Sequence, residues 1–318
     1  MCFRGAIPAC VVMKMVTKWP WRRISLATAT LVAMISFAPE HRFVNAGNIR
    51  LHVVEAGPAG GKPVILLHGF PDFWIGWRRQ IDALASAGFR VIVPDQRGYN
   101  VSDKPKGVRE YALAKLLGDV VALADALGIE RFHLVGHDWG GVVAWTAGAK
   151  LPSRLDKLVI LNAPHPEALF AHVLRSPTQL LRSSYAAFFQ VPVLPEAVLG
   201  ARHSALLARA LRTSSRSGAF LEEEIAEYRQ AWQQPGALTG MLNWYRALRF
   251  RPSMKERITT PTLVLWGMQD HALEGGLAER SLSFCNIGRL QPFERAMHWV
   301  QREEASAVNA ALLTFLDG

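Results

Sequence analysis

The fold this sequence predicts is α/β, with a mostly parallel sheet, helices on both faces and an α-helical segment inserted late in the chain. Three observations carry that prediction. Short runs that are apolar or nearly so (64–67, 91–93, 132–135, 158–161 and 262–266) alternate with helix-length segments, as strands buried on both faces do. The rhythm stops at about residue 165, where the chain becomes helical and proline-punctuated, and resumes after about residue 251. One strand also ends abruptly in Val135-Gly136-His137-Asp138-Trp139-Gly140-Gly141. Glycines two before and two after a single polar side chain are the mark of a sharp strand-to-helix turn.

In chain order, 42–55 reads as a β-hairpin about the turn Asn45-Ala46-Gly47-Asn48. The strand 64–67 closes at His68-Gly69-Phe70-Pro71. A helix follows with Trp74, Trp77, Ile81 and Leu84 on one side, Asp72 as its cap and Gly88 as its stop. The strand 91–93 closes at Asp95-Gln96-Arg97-Gly98, and 111–127 sets Leu113, Leu116, Leu117, Val120 and Leu127 on one helical face. After Asp138 a small-residue helix covers 140–150, and the strand 158–161 leads to Asn162-Ala163-Pro164-His165-Pro166. Beyond the insertion come the strand 262–266 with Asp270 after it, a strand over 289–293 leading to His298, and a helix over 305–316. The expected division is an N-terminal segment 1–40, a core in two parts (41–164 and 252–318) and an α-helical cap over 165–251.

With 318 residues, half of them apolar, the chain has enough material for one large core and an insertion. Its formal charge of +10 is unevenly placed: Arg4, Lys14, Lys18, Arg22 and Arg23 face Glu40 alone in the first forty residues. The rest is scattered, as in Arg202, Arg209, Arg212 and Arg216 between Ala and Leu. A nucleic-acid surface gathers its cations on one face with aromatic platforms between them, so no nucleic-acid partner is expected. Cys2, Cys10 and Cys285 are odd in number and lack ligand spacing, which predicts neither a disulfide framework nor a metal site. Cys285 reads as a buried, inert thiol.

The N-terminus has a basic flank before the fifteen apolar-rich residues 24–38, which end in the small-x-small triplet Ser36-Phe37-Ala38. That is the form of a signal peptide or short anchor. Export, or membrane association through residues 13–38, is therefore the expectation, with a cytoplasmic protein as the alternative.

Functional groups of open α/β sheets collect beyond the carboxyl ends of the strands. The loop 68–71, Asp138, Asp270 and His298 all stand at such ends, in the order nucleophile, acid, histidine. Most turns of this kind carry serine or cysteine where this one carries Asp138. An ionised aspartate attacks an sp³ carbon and leaves an alkyl ester, which must then be cleaved at its own carbonyl. A carboxylate already ionised needs no base, so His298 serves the second step by activating water. Asp270 would fix the imidazole tautomer and stabilise its charged form. The oxyanion donors are the backbone N–H groups of Trp139 and Phe70. Each residue has a plainer reading: helix N-cap for Asp138, turn chemistry for Asp270, interior histidine for His298. The glycine spacing and the shared strand-end positions favour catalysis. Asn162 cannot ionise, which removes it as the acid. His137 and His271 read as structural, while Trp74, Trp139 and His165 are placed on the pocket wall.

From about Arg42 to its end, the chain resembles the epoxide hydrolase branch of the α/β-hydrolase superfamily. The resemblance rests on His-Gly-Phe-Pro (68–71), Asp-Gln-Arg-Gly-Tyr-Asn-Val-Ser-Asp (95–103), Gly-His-Asp-Trp-Gly-Gly (136–141), Ser-Ser-Tyr-Ala-Ala-Phe-Phe-Gln (183–190) and Asn-Trp-Tyr-Arg (243–246). Membrane-anchored animal members share Gln-Pro-Gly-Ala-Leu (234–238), which adds to the anchor expectation. The resemblance implies an α/β-hydrolase fold and hydrolysis of a neutral, largely apolar small-molecule epoxide to a vicinal diol, through an aspartyl ester and without cofactor or metal. It further implies that Tyr185 and Tyr245, both from the cap, hydrogen-bond the epoxide oxygen. Their plainer readings are a helix face shared with Phe188 and Phe189, and core packing. Two alternatives stand beside this one. A haloalkane dehalogenase uses the same aspartate but needs indole donors for halide, and a non-catalytic ligand receptor can keep the same fold. Fluoroacetate-type enzymes carry arginines where this chain has Trp139 and Val142, and an esterase would need a serine at Asp138.

Overall fold

The computed structural model of the chain describes residues 38–318. The hairpin forms from β1 (Glu40–Ala46) and β2 (Ile49–Ala56), turning at Gly47 with a φ of 65°. The remaining strands are β3 (Pro63–Leu67), β4 (Arg90–Pro94), β5 (Phe132–His137), β6 (Leu155–Leu161), β7 (Thr262–Gly267) and β8 (Gly288–Phe293). All eight make one sheet in the order β1-β2-β4-β3-β5-β6-β7-β8. Pairing is antiparallel between β1, β2 and β4 and parallel from β4 to β8.

Alternation along each strand explains why these segments read as apolar or nearly so. Ile65, Leu67, Leu134, Leu158, Ile160, Val264 and Trp266 point to one face. There they pack on α2 (Leu113–Ala126) and α3 (Trp139–Lys150). Val64, Leu66, Val135, Val159, Leu161, Leu263 and Leu265 point to the other, against α1 (Arg78–Ser86) and a C-terminal helix over Ala305–Asp317. Gly88 and Gly128, with φ of 90° and 68°, supply the left-handed residues that stop α1 and α2.

Between β6 and β7 the chain is mainly helical as far as residue 250. It runs through α4 (Pro166–Val173), α5 (Pro177–Arg182), α6 (Tyr185–Phe188), α7 (Leu194–Thr213), α8 (Glu222–Trp232) and α9 (Ala237–Arg246). α7 breaks at 201–204, where Arg202, His203 and Ser204 take positive φ. Side chains from α8 clasp the loop after β3: Trp232 Nε1 donates to the Pro71 carbonyl and the Tyr228 hydroxyl to Asp72 Oδ1, both at 2.6 Å. The buried Glu224–Arg302 ion pair ties α8 to the other side of the core, and Trp244 Nε1 donates to the Arg97 carbonyl at 3.1 Å.

Two sequence expectations need correction, and two short helices were not foreseen. Asp72 does not cap a helix from Phe73; its carboxylate answers Tyr228 and the Phe73 N–H, and 74–77 forms one 3₁₀ turn before α1. α10 (Gly276–Leu282) was not foreseen, because glycines open it and only Leu277, Ala278 and Ser281 are buried. The chain then closes with α11 (Val300–Glu303), a short helix not foreseen, and α12 (Ala305–Asp317), which matches the helix expected over 305–316. Finally, the expectation of export or membrane anchoring is not upheld. No helix among the described residues is long and apolar enough to cross a membrane. The apolar run that prompted it falls short of the ~20 residues a span needs, and residues 1–37 lie outside the described residues.

Candidate active site

β5 delivers Asp138 to the top of the sheet at φ 49°, ψ −118°, a conformation that side chains other than glycine rarely adopt. Glycine makes the turn feasible at two positions above all. A Cβ on Gly136 would collide with the Gly140 carbonyl, and one on Gly140 with the Leu67 carbonyl. Asp138 occupies the N-cap position of α3, yet its side chain makes no capping hydrogen bond. The carboxylate is turned elsewhere. Oδ1 accepts the Phe70 N–H at 2.8 Å, while Oδ2 lies 3.8 Å from His298 Nε2, and the Trp139 N–H helps to stabilise the charged carboxylate.

His298 Nδ1 donates to Asp270 Oδ2 at 2.8 Å. Asp270 is in turn fully committed: Oδ2 also accepts from Asn162 Nδ2 at 2.9 Å, and Oδ1 from the N–H groups of Ala272 (2.7 Å) and Leu273 (3.1 Å). Turn chemistry and the histidine are thus served by different oxygens of one carboxylate. Asn162, unable to be the acid, is the amide that holds it, and Asn162 Oδ1 accepts the Gly267 N–H at 2.9 Å. His137 Nε2 donates to the His298 carbonyl at 2.9 Å and holds the backbone that carries the imidazole. His68 is likewise part of a frame: Nδ1 meets the Gly69 carbonyl at 3.0 Å and Nε2 accepts the Gln96 N–H at 3.0 Å, which fixes the loop bearing Phe70.

The charges follow from this geometry. Burial works against a charged His298, but Asp270, through charge and hydrogen bond, and then Asp138 outweigh it and push the imidazole up to about 9. Burial likewise opposes ionisation of Asp270, yet His298 and the donors from Asn162 and Ala272 hold its carboxyl below the ordinary range. Asp138 is raised, chiefly by burial, against the pull of His298 and the two backbone N–H groups.

Tyr185 begins α6 and Tyr245 lies near the end of α9, with ring centroids 5.9 Å apart. Tyr245, 6% exposed, meets Trp139 and Phe70 edge-on at 5.0 and 5.2 Å. Tyr185 is 41% exposed, so the enclosure is looser on its side, although it lines the cavity. Burial raises both phenols. Asp138 adds to this for Tyr185, with a hydrogen bond to Tyr245 partly offsetting it; for Tyr245 the neighbouring phenol and then Asp138 add to it. Both tyrosines line, with Asp138 and Trp139, a cavity of about 220 Å³ whose other walls include Leu113, Val142, Leu169, Val173, Leu248 and Leu273.

Two residues assigned to the pocket wall are not among those lining this cavity. Trp74 gives its N–H to Asp95 Oδ1 at 2.8 Å and sets its ring against His41. His165 stacks on Phe284 at 3.9 Å and accepts the Glu167 N–H, capping α4. Among the described residues no group of three or more His, Cys, Asp and Glu converges as metal ligands would. Cys285 is free and buried, and burial raises its thiol.

Comparison with known proteins gives a consistent picture. The model of the α/β hydrolase fold family matches residues 62–305. The Bacillus subtilis AB hydrolase superfamily protein YfhM is 44% identical over 278 residues, covering 86% of this chain and 97% of that protein. Epoxide hydrolase 4 of Homo sapiens is 38% identical over 280 residues, covering 86% of this chain and 77% of its own length. Among solved structures, the Bacillus megaterium epoxide hydrolase in complex with an inhibitor superposes with a TM-score of 0.81 at 26% identity, covering 87% of this chain and all of that one.

Proposed function

We propose how the reaction runs from one premise: the chain belongs to the α/β-hydrolase fold family, is an epoxide hydrolase and takes an epoxide as substrate. Asp138 Oδ2 attacks an epoxide carbon. The C–O bond of the ring breaks, its electron pair moves onto the oxygen, and an alkyl ester forms on Asp138. Tyr185 and Tyr245, both protonated because their pKa values are raised, donate to that oxygen. Their bonds strengthen as negative charge grows, which lowers the barrier rather than merely tightening substrate binding. The alkoxide then takes a proton from the tyrosine pair, which recovers one from solvent water, and becomes the first hydroxyl of the diol.

The second step uses the other half of the site. Esterification removes the Asp138 charge, one of those that held His298 near 9, so the imidazole becomes easier to deprotonate when a base is needed. His298 takes a proton from water, the water oxygen attacks the Asp138 carbonyl carbon, and Asp270 steadies the imidazolium. The carbonyl oxygen becomes an oxyanion where Oδ1 already accepts the Phe70 N–H, with the Trp139 N–H as the second donor of this proposal. Collapse breaks the ester C–O bond, the departing oxygen takes the proton held by His298, the diol leaves, and Asp138 ionises again with one oxygen from water.

The observation that carries this reading is the unequal treatment of the two Asp138 oxygens, Oδ1 held by the Phe70 N–H and Oδ2 turned to the histidine. The apolar cavity walls support an epoxide whose reacting end is apolar. The same proposal takes 165–251 as a cap supplying the tyrosines to a core of 41–164 and 252–318. Substituting His298→Gln tests it: alkylation should proceed and hydrolysis stop, so intact mass should rise by one substrate mass, localised to the Asp138 peptide. An unmodified protein that still releases diol would exclude the ester.

A further inference from the structure

Asp270 stands on a turn after β7 whose fold sets the direction of its carboxylate, because Oδ1 takes the N–H groups of Ala272 and Leu273 within that turn. The next two polar groups of the turn, the Ala272 carbonyl and the Glu274 N–H, are answered by one side chain from α5. Gln179 Nε2 donates to the Ala272 carbonyl at 2.8 Å, and Gln179 Oε1 accepts the Glu274 N–H at 2.9 Å. Nε2 also donates to Ser183 Oγ at 3.1 Å, and the side chain is completely buried. An amide held this way does for an irregular turn what a neighbouring strand does in a sheet, and it cannot swing away without stranding buried backbone groups.

Other side chains of the same segment brace the turn on either side of Gln179. Arg182 Nη1 donates to the Asp270 carbonyl at 3.1 Å. Ser176 Oγ donates to Glu274 Oε1 at 3.1 Å while accepting the Gln179 N–H at 3.1 Å, and His172 Nε2 pairs with Glu274 Oε2. This segment then runs directly into α6, which begins at Tyr185.

We propose that Gln179 is a positioning residue for ester hydrolysis: by closing the turn 270–274 from the cap, it keeps Asp270 Oδ2 on His298 Nδ1. This rests on the reading of Asp270 and His298 as the pair that drives the second step. Gln179 makes no hydrogen bond to His298 or Asp138 and does not line the cavity at Asp138, so it acts through the turn alone.

The test follows a single turnover of 1,2-epoxyhexane by the full chain and by Gln179→Met, which keeps the length of the side chain but not its amide. Rapid quenching with intact mass gives the rates of alkylation and hydrolysis separately. Hydrolysis should slow by up to about 10²-fold, the cost of an ångström-scale misplacement, and alkylation should change far less. The acid limb of the hydrolysis rate should also move to lower pH, because Asp270 is the main group that raises His298 against burial. The downfield proton resonance of the His298–Asp270 hydrogen bond should weaken in parallel. Arg182→Ala, which removes the donor to the Asp270 carbonyl, should move the same readouts in the same direction by less, and it carries the test if Gln179→Met does not fold. Equal slowing of both steps with an unmoved pH profile would reduce the contact to a brace of the fold and overturn the proposal, as would unchanged kinetics. If the native chain forms no ester on Asp138, the reading beneath the proposal has failed and the proposal falls with it.

Discussion

Asp138 has one oxygen that is held and one that is offered, and the residues around it divide along that line. Removing one phenol should slow ester formation by about 10²-fold, the usual loss for one oxyanion donor, and removing both should cost more. Rapid-mixing measurements on Tyr185→Phe, Tyr245→Phe and the double variant check this, and a double variant that alkylates at the native rate would remove the tyrosines from the first step. Asp270→Asn should instead leave alkylation nearly intact and slow ester hydrolysis by roughly 10³- to 10⁴-fold, because the imidazole loses both its orienting acceptor and its counter-charge. Its pH profile should also move down, since Asp270 is the main group raising His298. The residues that converge here were legible because each ends a strand or sits in a distinctive motif. Asn162 and His137 were not legible as positioning residues. Their partners, Asp270 and the His298 carbonyl, lie more than a hundred residues away in sequence. Trp74 and His165 show the converse error: proximity to a motif does not say which way a side chain points.

At the scale of elements, the turn into α3 and the clasp by α8 decide whether those residues meet. Gly140→Ala puts a methyl into the Leu67 carbonyl and should destabilise the fold by several kcal/mol or prevent its forming. The buried Arg302–Glu224 pair suggests a second prediction: Glu224→Ala strands the guanidinium and should cost about 3–5 kcal/mol in denaturant unfolding. Tyr228→Phe removes a donor from Asp72, whose Oδ2 already has no partner. Burial has pushed the Asp72 carboxyl up to about 6. The loss should be about 1–3 kcal/mol at pH 7, where Asp72 is ionised, and smaller at pH 5, where it is protonated and needs the donor less. Sequence periodicity located the core strands and the helices that cover them, because burial on one or two faces leaves a repeating pattern. It missed α10 and the break in α7, where few apolar residues are buried and local backbone geometry decides.

The whole molecule carries the balance of its charges into stability. His298 is held above its unfolded value, so its contribution is fully present below about pH 6.5 and disappears as pH rises through about 9. Native protein should therefore lose a few kcal/mol across that window relative to His298→Gln, read from urea unfolding at successive pH values. Identical slopes in the two proteins would show that the histidine is not charged in the folded state. The central claim, that Asp138 is alkylated and then released by water, is tested most directly by a single turnover in H₂¹⁸O with enzyme in excess over epoxide. The label should appear in the peptide containing Asp138 while the diol of that first turnover stays unlabelled. A labelled diol with an unlabelled Asp138 would mean that water attacks the epoxide itself, and would contradict the account.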